Sequence, residues 1–211
     1  MPQVSMTELV DAAKQGDRLI SFPTDTVPAL AANPHRADLI FAAKQRPETK
    51  PLILMGACAA DLWPYVQGTE AELAAWQTIA QRYWPGALTL VLPASDRIPT
   101  AMNPLNPTSI GIRVPNRAIA QAVLAQTGPL ATTSVNQTGA PPLLTLAEIN
   151  AEFPGVLTLS SAEIEEIERS RTTPQSPTGV PSTVAQWSQG TWHILRQGAV
   201  VLENTPVDRE P

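Results

Sequence analysis

Short apolar segments alternate with helix-forming segments along most of this 211-residue chain. The clearest helix covers residues 69–84, where apolar residues form one stripe at helical spacing, and a Ser5-x-x-Glu8 capping box opens another helix. Two strand-like segments, STVAQW and TWHILRQ, follow one another near the end. The alternation of strands and helices favours an α/β fold, and the two consecutive strands near the end predict a mixed sheet. We therefore predict one α/β domain over residues 1–211, with a mixed sheet and flanking helices.

The composition argues against several classes of protein. Hydrophobic residues make up 43% of the chain, which is too many for a disordered protein. The single cysteine, Cys58, has no partner for a disulfide or a multi-cysteine zinc site, and two histidines argue against a histidine metal cluster. No signal peptide begins the sequence, and no apolar run approaches the roughly 18 residues of a membrane helix. We expect a soluble, cytoplasmic protein with no membrane association and no protein-bound metal.

The charges point to a small anionic ligand rather than to a nucleic acid. A net charge of −5 disfavours a large nucleic-acid-binding face. However, Lys44, Arg46 and Lys50 lie within seven residues. Because Arg46 precedes a proline, helical geometry is disfavoured there and the side chain is directed into a loop. The three cations would then converge on one phosphate chain, although an ordinary solvated helix end accounts for the same cluster.

The stretch SFPTDTVPAL, residues 21–30, interrupts an apolar strand with Pro23, Thr24, Asp25 and Thr26. A plain turn would prefer glycine or asparagine, and neither occurs between Pro23 and residue 32. We predict a strand over 19–24 that continues over 27–31 beyond the polar break. Two explanations stay open at this point: an awkward strand connection, or polar atoms that hold a ligand.

Two further strands each present a polar row, because successive side chains of a strand point to opposite faces. A solvated sheet face would explain one such row, but the repetition favours a ligand-binding surface. Gly111 lowers the surface within the first row, as a closely approaching ligand requires. The rows are Ser109, Gly111 and Arg113 in SIGIRVP, and Thr132, Ser134 and Asn136 in LATTSVN.

Seven short motifs follow one another in a family-like order. They are Pro-Thr-Asp-Thr, Lys-x-Arg-Pro with a later Lys-Pro-Leu, Trp-Pro-Gly-x-Leu-Thr, Ile-x-x-Arg-x-Pro, Thr-Ser-x-Asn-x-x-Gly, Pro-Ser-Thr-Val and Leu-Arg-x-Gly-Ala. In this order they resemble the YrdC/Sua5 family, the L-threonylcarbamoyladenylate synthases, over about residues 7 to 200. The C-terminal domain of the longer Sua5-type members has no counterpart in this sequence.

The resemblance implies a twisted sheet with a large concave face that binds two substrates. The family makes threonylcarbamoyl-AMP and pyrophosphate from L-threonine, bicarbonate and ATP, for N6-threonylcarbamoylation of adenosine 37 in tRNA. Carried over motif by motif, the residues implied to hold threonine are Thr26, Arg113, Ser134 and Ser182. Those implied to hold ATP are Lys44, Arg46, Lys50, Ser109, Asn136 and Arg196. On this view the polar break in SFPTDTVPAL exists because Thr26 is a ligand.

The implied chemistry needs positioning and charge neutralisation rather than a side-chain nucleophile. Mg²⁺ would arrive on the ATP phosphates, since Asp25 is the only carboxylate in the motifs. The product would pass to a tRNA threonylcarbamoyl transferase complex, with at most weak RNA binding by this chain. One departure is the pair Pro28-Ala29, where the family commonly has Tyr-Gly, which predicts local repacking because proline lacks an N–H and alanine disfavours positive φ.

Three other functions stay open from the sequence. One is a carbamoyl-adenylate-forming domain like that of hydrogenase maturation factors, although that domain belongs to much larger, cysteine-rich chains. Another is a double-stranded RNA-binding module, which the acidic charge disfavours. The third is a catalytically silent nucleotide-binding paralogue, motivated by Pro28-Ala29.

Residues 163–181 are acidic at first and then rich in serine, threonine and proline. Ile164 and Ile167 give the first half a partial helical face, but the rest has little to bury. We hypothesise that this segment is a loop over the active site that orders when ATP binds. A surface connection of no consequence is the alternative.

Overall fold

The computed structural model describes residues 3–169 and 177–202, and in this part of the chain ten strands form one mixed sheet. The strands are β1 (Gln3–Val4), β2 (Ile20–Phe22), β3 (Ala29–Ala32), β4 (Ile53–Met55), β5 (Leu88–Pro93), β6 (Ser109–Arg113), β7 (Leu130–Ser134), β8 (Leu157–Leu159), β9 (Thr183–Ser188) and β10 (Thr191–Arg196). Their order across the sheet is β1-β8-β2-β3-β7-β4-β6-β5-β9-β10. The pairs β1/β8, β8/β2, β4/β6 and β5/β9 are parallel, and the remaining neighbours are antiparallel. The predicted mixed α/β sheet is confirmed.

Six α-helices flank the sheet within the described residues. They are α1 (Met6–Gln15), α2 (Asp38–Lys44), α3 (Glu70–Tyr83), α4 (Ala118–Thr127), α5 (Leu146–Glu152) and α6 (Ser161–Arg169). Helices α1, α3 and α5 each begin with a capping box. The N-cap hydroxyl accepts from the backbone N–H of a glutamate three residues later, and the carboxylate of that glutamate accepts from the backbone N–H of the N-cap residue. The predicted box at Ser5 and Glu8 is one of these three.

Apolar side chains pack into one cluster on each face of the sheet. Within β3, Leu30 and Ala32 belong to one cluster, whereas Ala29 and Ala31 belong to the other, as the alternation of side chains requires. Helices α2, α3 and α5 contribute to the first cluster, and α1 and α4 contribute to the second. The sheet is therefore buried on both faces over much of its width.

Strand β6 confirms the predicted division of its two faces. Ile110 and Ile112 belong to the first apolar cluster, as does Val114 just after the strand. Ser109, Gly111 and Arg113 therefore face the opposite side of the sheet, away from the first apolar cluster.

The polar stretch after β2 is a turn that reverses the chain. Strands β2 and β3 pair antiparallel, with Phe22 opposite Ala29. The prediction that residues 27–31 continue the same strand was therefore wrong. The hydroxyl of Thr24 accepts from the backbone N–H of Thr26 at 3.1 Å and donates to the carbonyl of Val27 at 2.7 Å. These local bonds close a turn without glycine or asparagine.

No helix in residues 3–169 or 177–202 has the length and apolar character needed to cross a membrane.

Candidate functional site

Two neighbouring cavities open on the polar face of the sheet. The smaller has a volume of about 150 Å³, and the larger has a volume of about 360 Å³. Arg46 and Arg196 line both cavities, so the two guanidinium groups lie at the boundary between them. The smaller cavity brings together all four residues predicted to hold threonine, which are Thr26, Arg113, Ser134 and Ser182.

Arg113 is buried at the smaller cavity and is held by three partners. Its Nε donates to the carbonyl of Gly86 at 3.0 Å, Nη1 donates to Thr26 Oγ1 at 2.9 Å, and Nη2 donates to Asp25 Oδ1 at 2.6 Å. Burial lowers the pKa of Arg113 and the Asp25 carboxylate opposes that shift, so the guanidinium stays charged. Because arginine has five N–H donors, these three bonds leave two donors for a ligand.

The hydroxyl of Thr26 is fixed by its neighbours as an acceptor toward the cavity. Thr24 Oγ1 gives its only proton to the carbonyl of Val27, so in the 3.0 Å contact between the two threonine hydroxyls Thr26 is the donor. Thr26 Oγ1 also accepts from Arg113. One lone pair of Thr26 Oγ1 remains, and it suits a ligand N–H or O–H group.

Ser134 presents its hydroxyl in the same way. Its Oγ donates to Asn136 Oδ1 at 2.6 Å, which leaves oxygen lone pairs for a ligand. Behind Ser134, the ammonium group of Lys44 donates to the carbonyl of Ser134 and to Asn136 Oδ1. Desolvation, with a smaller contribution from the charge of Arg46, lowers the pKa of Lys44 from 10.5 to about 7. Lys44 and Asn136 thus support Ser134 and line neither cavity.

Ser182 and Arg196 are held together at the start of β9 and the end of β10. The guanidinium of Arg196 donates to the carbonyl of Ser182 through Nε at 3.1 Å and Nη2 at 2.8 Å. The hydroxyl of Ser182 lies 2.9 Å from Thr89 Oγ1 of β5. A side chain at Gly198 would meet the backbone of Pro181 and Ser182, so the Leu-Arg-x-Gly-Ala motif packs its backbone directly against the site.

The three clustered cations do not meet at one point. Arg46 follows the end of α2, as predicted, and donates to the carbonyls of Lys50 and Pro51 at 2.9 and 3.0 Å. Ser109 lines the larger cavity, whereas Lys50 is exposed and lines neither. Lys44 is buried behind Ser134. Their common role in holding ATP stays a prediction.

Two partners of Arg113 were not assigned a role from the sequence. Asp25 pairs with its guanidinium, and the carbonyl of Gly86 accepts from Nε. A signal for Asp25 was available, because a buried arginine needs a carboxylate and Asp25 is the only one in the motifs. The Gly86 contact had no such signal, because a backbone carbonyl is common to every residue.

Pro28 and Ala29 both line the smaller cavity. Ala29 begins β3 in extended geometry opposite Ser134, where an alanine is unstrained. The carbonyl of Pro28 accepts from the backbone N–H of Val135 at 3.1 Å. The backbone around this pair therefore needs no positive φ.

The segment predicted to cover the site begins as a helix. Residues 161–169 form α6, whose Ile164 and Ile167 pack against the second apolar cluster and whose Glu168 pairs with Arg117 at 2.8 Å. The expectation of a loop was therefore wrong for this part. Residues 170–176 lie outside the described residues. Beyond them, the N–H groups of Thr178 and Gly179 donate to the carbonyls of Asp25 and Thr26.

The described ranges, 3–169 and 177–202, contain no group of three or more His, Cys, Asp or Glu side chains able to hold a metal ion.

Comparison with known protein families identifies one match over most of the chain. The Sua5/YciO/YrdC model, described as "Telomere recombination", matches residues 12–198. The threonylcarbamoyl-AMP synthase of Bacillus subtilis is 35% identical over 147 residues, which are 66% of this chain and 40% of that protein. The synthase of Vibrio parahaemolyticus is 32% identical over 150 residues, 69% of this chain and 80% of that protein. The chain thus matches less than half of the Bacillus protein and most of the Vibrio protein.

Solved structures give a consistent result. P. abyssi Sua5 complexed with L-threonine superposes with a TM-score of 0.75 at 28% identity, over 93% of this chain and 55% of that one. E. coli YciO superposes with a TM-score of 0.72 over 92% of this chain and 88% of that one. Its identity of 22% supports the fold alone.

Proposed function

The chain belongs to the Sua5/YciO/YrdC family, and we propose that it is an L-threonylcarbamoyladenylate synthase. It would make threonylcarbamoyl-AMP and pyrophosphate from L-threonine, bicarbonate and ATP. The observation that carries this proposal is a small cavity whose polar groups complement an amino acid. This cavity shares two arginines with a larger cavity.

The smaller cavity has groups that complement an amino acid. Two free N–H donors of Arg113 suit a carboxylate, whereas the lone pairs of Thr26 and Ser134 suit an ammonium or hydroxyl group. A volume of about 150 Å³ accommodates a molecule of benzene's size, which is also the scale of threonine. The P. abyssi relative was solved with L-threonine, which supports the same substrate here.

The larger cavity would hold ATP. Its volume of about 360 Å³ lies within the usual range for ligand sites. Arg46 and Arg196 line both cavities. The α-phosphate of ATP would therefore lie at this boundary, next to the bound threonine. Mg²⁺ would arrive with the ATP phosphates as part of the substrate.

The reaction would proceed in two steps. The threonine amine takes up bicarbonate with loss of water to give a carbamate, and a carbamate oxygen then attacks the α-phosphorus of ATP. The bond to the β-phosphate breaks and pyrophosphate leaves. The protein contributes orientation, through Arg113 and the hydroxyls, and charge neutralisation, through the two boundary arginines. The product would pass to a tRNA threonylcarbamoyl transferase complex.

The test is direct detection of the adenylate by mass spectrometry. The protein is incubated with ATP, ¹³C-bicarbonate and one amino acid. Serine is the control that lacks the methyl group of threonine, and valine is the control that lacks its hydroxyl. We expect a labelled adenylate with threonine and much less with either control. An adenylate formed from carbamoyl phosphate without threonine would instead assign the hydrogenase-maturation chemistry. ATP binding without any product would assign a silent paralogue.

A further inference from the structure

A third cavity lies behind the turn that carries Thr26. It has a volume of about 210 Å³ and opens between the end of β2, the start of α4, and helices α5 and α6. Its walls are mostly apolar and include Phe22, Leu146, Ile149 and Ile164. Pro28 lines this cavity on one side and the smaller substrate cavity on the other, so the two are neighbours separated by the turn.

Two residues that line this cavity each have a buried polar atom without a hydrogen-bond partner in the described part of the chain. The two atoms are Ser21 Oγ and Arg117 Nη1. Ser21 is 2% exposed, and the side chain of Arg117 is 11% exposed. Buried polar groups are nearly always paired, so two unpaired ones at the same cavity indicate a missing partner. None of the predicted substrate-binding residues lines this cavity.

The chemistry of the wall defines the class of ligand. A guanidinium N–H and a hydroxyl favour a carboxylate, and the surrounding side chains favour an apolar body. A cavity of about 150 Å³ binds benzene, so about 210 Å³ accommodates a body of roughly five to seven carbon atoms with its carboxylate. We propose that this cavity is a ligand site separate from the two substrate cavities, and that it takes a small apolar carboxylate between Ser21 and Arg117.

Glu168 sets the strength of this site. It accepts from Arg117 Nε at 2.8 Å and therefore neutralises part of the charge that would attract a ligand. Replacing Arg117 and replacing Glu168 should have opposite effects on the affinity for a carboxylate. Loss of the arginine removes the ligand's partner, whereas loss of the glutamate removes its competitor.

An occupant of the cavity would also contact the turn that supports the substrate site. Thr24 lines the cavity, and its hydroxyl is bonded to that of Thr26. Thr26 in turn accepts from Arg113. The two ligand sites are thus joined by a short chain of hydrogen bonds.

The experiment is a titration of the full chain with benzoate, followed by NMR of isoleucine methyl groups. Ile149 and Ile164 report on the third cavity, and Ile53 reports on the substrate cavity. We expect benzoate to shift the first two signals. The wild type is compared with Arg117→Gln and Glu168→Gln, and toluene is the neutral control that shows whether the cavity persists in each variant.

Arg117→Gln is expected to weaken benzoate about tenfold or more, and Glu168→Gln is expected to tighten it about threefold to tenfold. Toluene should bind all three proteins alike. Shifts confined to Ile53, equal benzoate affinity for wild type and Arg117→Gln, or a change in the same direction for both variants would overturn the proposal. Because no arm uses threonine or ATP, the result is independent of the proposed synthase activity.

Discussion

Oδ1 of Asp25 lies 2.6 Å from Nη2 of Arg113, and only 14% and 3% of the two side chains are exposed. Asp25→Asn keeps the shape of the side chain but leaves the guanidinium charge without its counter-ion. We expect the free energy of unfolding to fall by about 3–5 kcal/mol, as for other buried pairs that lose one partner. The measurement is urea unfolding, with Asp38→Asn as the control, since its pair with Arg36 is exposed and should contribute less than about 1 kcal/mol.

Threonine should restore more stability to Asp25→Asn than it adds to the wild type, because its carboxylate then supplies the missing negative charge. Equal losses of stability in Asp25→Asn and Asp38→Asn would contradict a structural role for this pair.

The two substrates should be separable by mutation. Arg113→Ala removes the donors that face the smaller cavity, and we expect a loss of threonine affinity of about 1.5–3 kcal/mol, or roughly tenfold to more than a hundredfold. Arg46→Ala should instead raise the KM for ATP, because Arg46 lines the larger cavity, and Lys50→Ala tests the ATP role predicted from the sequence for an exposed side chain that lines neither cavity. Steady-state kinetics with each substrate varied in turn distinguishes the roles. If all three variants affect both substrates equally, the division between the two cavities is wrong.

Lys44 should make stability depend on pH. Its pKa is about 7 in the folded protein and about 10.4 in an unfolded chain. Between these values the unfolded chain binds a proton that the folded protein lacks, so stability rises with pH by up to about 1.4 kcal/mol per unit. Below pH 7 both states are protonated and the effect is constant.

The measurement for Lys44 is the difference in unfolding free energy between the wild type and Lys44→Met from pH 6 to pH 9.5. We expect this difference to change in favour of the wild type as pH rises above 7. A difference that does not vary with pH would mean that Lys44 keeps an ordinary pKa.

Gly198 should tolerate no side chain. A Cβ there would meet the carbonyl of Pro181 and the backbone of Ser182 and Thr183, so Gly198→Ala must displace Ser182 or Arg196. We expect adenylate formation to fall by at least tenfold, because the displaced residues no longer orient the substrates. We expect the melting temperature to fall as well. Gly155→Ala is the control, because nothing lies within 4 Å of the added carbon. Full activity in Gly198→Ala would show that the strand ends can adjust.

Much of the fold could be predicted because its signals are local. The stripe on residues 69–84, the capping box at Ser5 and the alternation of residues 109–115 each depend only on neighbours along the chain. The hairpin of β2 and β3 was missed because its turn is closed by the hydroxyl of Thr24 rather than by glycine or asparagine. Helix α6 was predicted only as a partial helical face within a loop, because its support comes from α4, through Arg117 and the second apolar cluster.

The candidate site shows the same limit. Strand alternation placed Arg113 and Ser134 on the polar face, and both line the smaller cavity. The convergence of Lys44 with Arg46 and Lys50 was inferred from their spacing alone. Spacing does not specify that Lys44 turns inward to the carbonyl of Ser134, a contact between residues 90 positions apart.

The late position of Ser182 and Arg196 has a consequence for synthesis on the ribosome. They flank β9 and β10, which join the sheet by parallel pairing with β5, almost a hundred residues earlier in the chain. A nascent chain that has emerged as far as β8 already carries Thr26, Arg113 and Ser134, but β5 is then an open edge with unpaired backbone groups. Such an edge is a natural target for chaperones that bind growing chains. Ser182 and Arg196 therefore reach the candidate site only when this hairpin leaves the ribosome and closes that edge.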